Sequence, residues 1–277
     1  MKARFCVDTV LRGSPRQVPL RALRLTLALI FGAAAGGAGA QVDLDRVTQC
    51  MRDNIPKSLR VDSVSLVAVD RGGSQRQISG ALRAESKGSL KRLVWSVRAP
   101  ADLAGSALLS RQDQNGTQSY LYLPSLGRVR RIDQSEHEGS MFGTDISYGD
   151  AERIASTFGE SAMTVLGTAA VAGRPAWKLA VTTPPDVAAL YDRIDLSIDQ
   201  QTCVVTQADF LHDDVAQKRW TADPAGFAQS GRYWYAATGV MRNLLQNTET
   251  RVRLGAVSTD VQLPASTFDP NSFYRGN

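Results

Sequence analysis

Histidine and cysteine are scarce in these 277 residues, and that scarcity excludes chemistry before any motif is sought. His137 lies in Glu136-His137-Glu138 and His212 precedes Asp213-Asp214, but neither has a second ligand at metal-binding spacing, and no HExxH is present. Solvated loops are the plainer reading of both. A GxSxG elbow, a P-loop and a GxGxxG are missing as well, so hydrolysis, including that of lipid esters, and nucleotide binding have no residue to stand on. None of the three cysteines belongs to a CxxC pair, which argues against redox catalysis. No apolar run reaches the ~20 residues that a spanning helix needs.

The first forty residues differ from the rest. Six basic residues (Lys2, Arg4, Arg12, Arg16, Arg21, Arg24) stand against one acid, Asp8, and a short, mostly apolar run covers Leu23 to Ala35. Ala38-Gly39-Ala40 then places small residues where a signal peptidase requires them. Residues 1–40 are therefore expected to be a secretory signal cut after Ala40, with an uncleaved anchor as the alternative. The mature chain begins at Gln41, with no cysteine to carry a lipid. Removing the segment takes six of 32 Lys and Arg and one of 27 Asp and Glu, which leaves 26 of each sign and a formally neutral protein. Nucleic-acid binding loses its main support, because it draws chiefly on concentrated positive charge.

An exported chain meets oxidising conditions, and Cys50 and Cys203 remain after the cut. One disulfide between an amino-terminal helix and the middle of a sheet is the economical reading; two buried thiols packed as small hydrophobes are the alternative. Residues 41–277 suffice for one sizeable core and are read as a single domain.

Along the mature chain the hydrophobic period tells helix from strand. Asp43 can cap a helix running to about Asn54, with Leu44, Val47, Met51 and Ile55 on one face and Pro56 as its stop. The period then changes to two. Val64, Leu66 and Ala68 share a strand face before the turn at Arg71-Gly72-Gly73. Leu93, Trp95 and Val97 alternate with Val94, Ser96 and Arg98 up to Pro100, and Asn115-Gly116 between two apolar runs signals a hairpin. Further runs centre on Trp177 to Val181, Ile194 to Ile198, Val204 to Phe210, Trp220, Tyr233 to Tyr235, Val240 to Met241 and Val252 to Ala256. Phe268 and Phe273 are expected to pack over a sheet edge. About ten short strands with few helices fit a curved sheet or open barrel, or a sandwich.

One stretch, Tyr120 to Gly159, is denser in features than any other. A strand from Tyr120 to Leu123 is closed by Pro124, and a basic run follows in which Arg128, Arg130 and Arg131 interleave with Val129 and Ile132. Gly139-Ser140-Met141-Phe142-Gly143 sets two large apolar side chains in a glycine-bounded loop. Ser147 and Asp150 have capping-box spacing, and Tyr148, Ala151, Ile154 and Phe158 recur at helical period up to Gly159.

The order YLYLPSLGRVRRI followed by MFGTDISYGD resembles the LolA-like family of outer-membrane lipoprotein-sorting proteins, in particular the branch found beside RND-type exporters. The resemblance extends weakly from Asn54-Ile55-Pro56 to the Phe268 region. It implies a mainly β fold with a few helices, in which a strongly curved antiparallel sheet, an open and incomplete barrel, carries helices over its concave side. It also implies a non-enzymatic periplasmic carrier, without a cofactor, that binds the acyl chains of a lipoprotein or lipid in an apolar cavity for transfer towards the outer membrane. The alternative is an accessory subunit of an RND-type exporter that carries no lipid. A monomer is expected. Trp95, Tyr120, Tyr122, Met141, Phe142 and Tyr148 are the residues expected to line or rim the cavity, with plain core packing as the alternative. Arg128, Arg130 and Arg131 are expected to hold an anionic headgroup or face a partner, with pairing to Asp133, Glu136 or Asp145 as the alternative.

Overall fold

The computed structural model describes residues 42–88, 90–113, 116–156, 162–183 and 190–275, so the predicted signal segment lies outside the described residues. The first element, α1 (Leu44–Asp53), starts where the sequence places it, because the Asp43 carboxylate accepts the Asp45 N–H at 3.0 Å. Six strands follow: β1 (Ser58–Val69), β2 (Gln75–Lys87), β3 (Leu90–Ala99), β4 (Ala107–Asp113), β5 (Gly116–Leu123) and β6 (Arg128–Arg131). After α2 (Tyr148–Ser156) come β7 (Ala162–Val171), β8 (Arg174–Thr182), β9 (Arg193–Asp199), β10 (Val205–His212) and β11 (Val215–Ala222). The chain finishes with β12 (Phe227–Ser230), β13 (Tyr233–Ala236), β14 (Thr238–Asn243) and β15 (Thr248–Thr259).

Thirteen of these strands form one antiparallel sheet in the order β6-β5-β4-β3-β2-β1-β15-β14-β11-β10-β9-β8-β7, and β12 pairs with β13 as a separate ribbon. Neighbours in sequence are mostly neighbours in space, as hairpin connections require, and β15 returns to join β1 to β14. Register shifts interrupt five pairings, among them Val61/Val64 in β1 and Ser79/Gly80 in β2. Such bulges add twist, and the sheet is strongly curved without closing into a barrel. A sandwich, which the periodicity also permits, does not form.

Period two sorts the side chains between the two faces. The face covered by the helices buries Val64 and Leu66 of β1, Trp95 and Val97 of β3, Leu108 of β4, Leu121 of β5, Leu179 of β8 and Ile198 of β9 in one cluster with Val47 of α1 and Ala151 of α2. On the opposite face Val94, Ala107 and Leu109 meet Phe268 and Phe273 of the carboxy-terminal segment. That segment thus lies across the outer face of β3 and β4 and extends over Tyr120 and Tyr122 of β5 to Val129 of the edge strand β6, so the two phenylalanines anchor it at that edge as the sequence led one to expect.

Fifteen strands form among the described residues, against about ten expected. β2 and β7 are the clearest omissions. β2 reads QRQISGALRAESK, where Gly80 and a bulge break the alternation; β7 reads AMTVLGTAAV, an edge strand of small residues that buries none of its side chains fully. Cys50 of α1 and Cys203, in the turn between β9 and β10, are joined by a disulfide with their Cα atoms 5.6 Å apart. The turn itself is held by Asp199, whose carboxylate accepts the Thr202 N–H and hydroxyl, both at 2.8 Å.

Candidate functional site

The segment between β6 and α2 forms a roof over the concave face. Its loop closes on itself: Ser140 and Ser147 form an antiparallel bridge, the Met141 N–H donates to the Ile146 carbonyl at 2.8 Å, and the Thr144 hydroxyl donates to the Met141 carbonyl at 2.8 Å. Phe142 at φ 56° and Gly143 at φ 83° make the reversal. A left-handed conformation is costly for phenylalanine, and here it drives the ring inward, where it meets Trp95 edge-on with centroids 5.3 Å apart. Met141, Phe142, Ile146 and Tyr148 all lie within the central apolar cluster. Burial raises the pKa of the Tyr148 hydroxyl.

α2 begins with the predicted capping box, in which the Asp150 N–H donates to the Ser147 hydroxyl at 3.1 Å and the Ser147 N–H donates to the Asp150 carboxylate at 2.9 Å. Asp150 does more than cap. Its Oδ2 also accepts the Lys218 ammonium of β11 at 2.8 Å, and the two side chains are 1% and 12% exposed. Beside this pair sits Tyr191, fully buried, whose ring lies 6.0 Å from the Lys218 ammonium and 5.2 Å from the Arg153 guanidinium. Burial, then the charge of Asp150, pushes the Tyr191 hydroxyl far above the ordinary tyrosine range. A second tie runs to β15: Asp145 accepts from the hydroxyls of Thr250, at 2.7 Å, and Thr248, while its own N–H donates to Thr250 Oγ1 at 2.8 Å. The roof, which starts from the β6 edge of the sheet, is therefore fastened by polar contacts to the central strand β15 and to β11 beyond it.

Against the outside of this fastening lies a cleft of about 700 Å³. Ser140, Gly143, Thr144 and Asp145 form its roof side, Tyr191, His212 and Lys218 its floor, and Leu245 and Gln246 of the β14–β15 turn part of its rim. A groove of about 410 Å³ on the outer face holds Arg242, Arg251 and Arg253. None of the six expected cavity residues lines either space.

The structure divides those six residues. Trp95, Met141, Phe142 and Tyr148 come together in the concave cluster, whereas Tyr120 and Tyr122 face the other way. Their strand alternates, so Leu121 takes the inner position and Tyr122 stacks on Tyr274 at 3.9 Å between centroids. The interior at the Met141 segment is filled by that segment's own side chains, and the cleft lies on the other side of the loop.

The three arginines separate too. Register places Arg128 and Arg130 opposite Leu123 and Leu121, and Arg131 opposite Tyr120, so they do not share a face. Arg130 reaches both carboxylate oxygens of Glu136, at 2.6 and 2.8 Å. The Asp133 N–H, then Arg130, lower the Glu136 pKa. Arg128 and Arg131 are exposed, with no ion pair among the described residues. Lys218, Tyr191, Thr248 and Thr250 were invisible in sequence as site residues, since period two makes Lys218 an ordinary strand position and Asp150 lies 68 residues from it. Phe158 and Gly159 lie outside the described residues.

Comparison with known proteins locates this fold. A family model described as "Uncharacterized protein"-like matches residues 90–275. A domain described as an outer membrane lipoprotein-sorting protein from Vibrio parahaemolyticus is similar with a TM-score of 0.74 at 19% identity, covering 83% of this chain and 97% of that one. A DUF1329 family protein from Desulfovibrio piger gives 0.74 at 18% identity over 81% and 95% of the two chains. A LolA superfamily protein from Nitrosomonas europaea gives 0.65 at 17% identity over 82% and 98%. No curated protein matches the sequence.

Proposed function

Because the chain belongs to the uncharacterized-protein family matched over residues 90–275 and has the fold of the lipoprotein-sorting proteins, we propose that it is a periplasmic carrier. It takes the acyl chains of a lipoprotein or lipid against the concave face and moves them towards the outer membrane, as a monomer and without chemical turnover. The signal segment, removed after Ala40, delivers it there.

The observation that carries this reading is the pairing of an apolar concave face with a separable roof. The inner wall is apolar from Leu121 to Leu179, and Met141 and Phe142 fill it from a loop held to β15 and β11 through Asp145 and Asp150. Displacing that loop would exchange its two side chains for acyl chain. Each acyl CH₂ withdrawn from water contributes about 0.8 kcal/mol, so a long chain competes well with one methionine and one phenylalanine. Trp95, Met141, Phe142 and Tyr148 then belong to the cavity wall and gate. Exposed Arg128 and Arg131 are assigned to an anionic headgroup or an acidic partner.

The filled interior also favours a second reading, an accessory subunit of an RND-type exporter that never carries lipid. Native mass spectrometry of freshly isolated periplasmic protein separates the two. A co-purified acylated molecule supports the carrier; an empty protein that crosslinks to an inner-membrane exporter supports the accessory subunit.

A further inference from the structure

Several buried polar groups of the concave wall have no partner among the described residues, and two of them stand side by side. Ser110 of β4 and Ser119 of β5 are directly opposite in the register, so their side chains stand side by side on one face. That face is the inner one, since the next inward pair along the same two strands is Leu108 and Leu121, both in the central cluster. Leu93 of β3 flanks Ser110 on the same row. Ser110 is 0% and Ser119 2% exposed, and neither hydroxyl has a hydrogen-bond partner among the described residues.

Buried hydroxyls in native proteins are nearly always bonded, and an unbonded one is costly. Alanine would pack at either position without that cost, so the pair is explained better by a polar group it receives than by packing. The next residue of β4 on this face, Gln112, also has its Oε1 buried without a partner among the described residues, so the three groups make a small polar patch beside Leu108 and Leu121. α2 packs over β3 and β4, so the roof that Lys218 fastens lies against the strand that carries Ser110.

We propose that Ser110 and Ser119 form a seat for the carbonyl oxygen of an ester- or amide-linked acyl chain, engaged when the roof opens. This rests on the carrier reading and extends it: the pair fixes how deep the chain enters and favours acyl ligands over plain alkyl ones. Both hydroxyls donate to one carbonyl oxygen, which has two lone pairs to receive them.

The test uses the delipidated mature chain and two competitors with the same sixteen-carbon chain, 1-palmitoylglycerol and its ether counterpart 1-hexadecylglycerol, each displacing a fluorescent fatty acid. The wild type should prefer the ester by about tenfold, the worth of two neutral hydrogen bonds. The Ser110→Ala/Ser119→Ala protein should lose that preference, keep its affinity for the ether, and unfold at the same urea concentration or a higher one. Equal affinity of the wild type for both lipids would overturn the seat while leaving the carrier standing. So would a double variant that keeps the preference, whether or not it unfolds earlier. If the probe itself does not bind, the carrier reading fails and the seat fails with it. The single alanine variants carry the same comparison should the double variant not fold.

Discussion

Replacing Lys218 by methionine should release the roof before it unfolds the sheet. Asp150 is 1% exposed, and its Oδ2 has two donors, the Lys218 ammonium and the Ser147 N–H. Methionine keeps the apolar stem and removes the charge, so the carboxylate is left buried beside Tyr191 without its ammonium partner. Breaking a buried pair from one side costs about 3–5 kcal/mol, most of it the penalty on the stranded ion. The cheapest relief is local: α2 lifts and Asp150 reaches water. Amide hydrogen exchange read by mass spectrometry should therefore accelerate about a hundredfold in α2, as a change of about 3 kcal/mol requires. Exchange in β1 and β15 should change far less. Adding Asp150→Asn to Lys218→Met should restore most of the protection, because the stranded charge is gone and the asparagine carbonyl can still accept the Ser147 N–H. Unchanged exchange in α2, or a loss spread evenly over the sheet, would refute the role given to this ion pair. So would a double variant no better protected than Lys218→Met alone.

The disulfide closes a loop spanning 153 residues, and in the chain-entropy treatment its reduction, or Cys50→Ser/Cys203→Ser, should cost about 5 kcal/mol, seen as a lower urea midpoint. Burial pushes the Asp199 carboxyl up, but Arg174 at 2.6 Å and the Thr202 hydrogen bonds outweigh it and hold the pKa below the ordinary value. A lowered folded pKa gives stability that is full above the unfolded value of about 4 and lost as pH falls through the folded one. Asp199→Asn should thus cost more stability at pH 7 than at pH 3, and equal cost at both, measured by urea unfolding, would contradict the sign. Gly80→Ala would set a Cβ 2.2 Å from the Ser96 carbonyl oxygen, a backbone atom that cannot move without disturbing the β2–β3 pairing. A loss of about 3 kcal/mol is expected in the same assay, and a neutral effect would show that the strands separate more readily than their register suggests.

Local signals carried much of the fold. The Asp43 cap, the capping box at Ser147 and Asp150, the pairing of β4 with β5 that Asn115-Gly116 signals and the alternation of Trp95 with Val94 are all written in neighbouring residues, and the strands and helices form where those signals put them. β2 and β7 escaped because a bulged glycine and a run of small side chains erase the contrast between faces. The site was less legible for a related reason. Period two says that Tyr120 and Tyr122 share a face, but which face points inward depends on how the sheet curls and on where Tyr274 lands. The fastening of the roof joins Asp145 to Thr248 and Thr250, and Asp150 to Lys218, across gaps of 68 to 105 residues, and nothing local marks such pairs. Met141 and Phe142 were recognisable as a loop turned to some use. That they fill the interior, with the cleft on the loop's other side, required the backbone reversal at Phe142 and Gly143 to be seen.

Titrating delipidated residues 41–277 with a fluorescent long-chain fatty acid tests the carrier role most directly, with the Trp95 environment followed at the same time. One saturable site, with Trp95 fluorescence changing as Phe142 leaves its ring and with faster uptake in Lys218→Met, is the predicted result. No saturable uptake in either protein, at concentrations where the probe is monomeric, would contradict it.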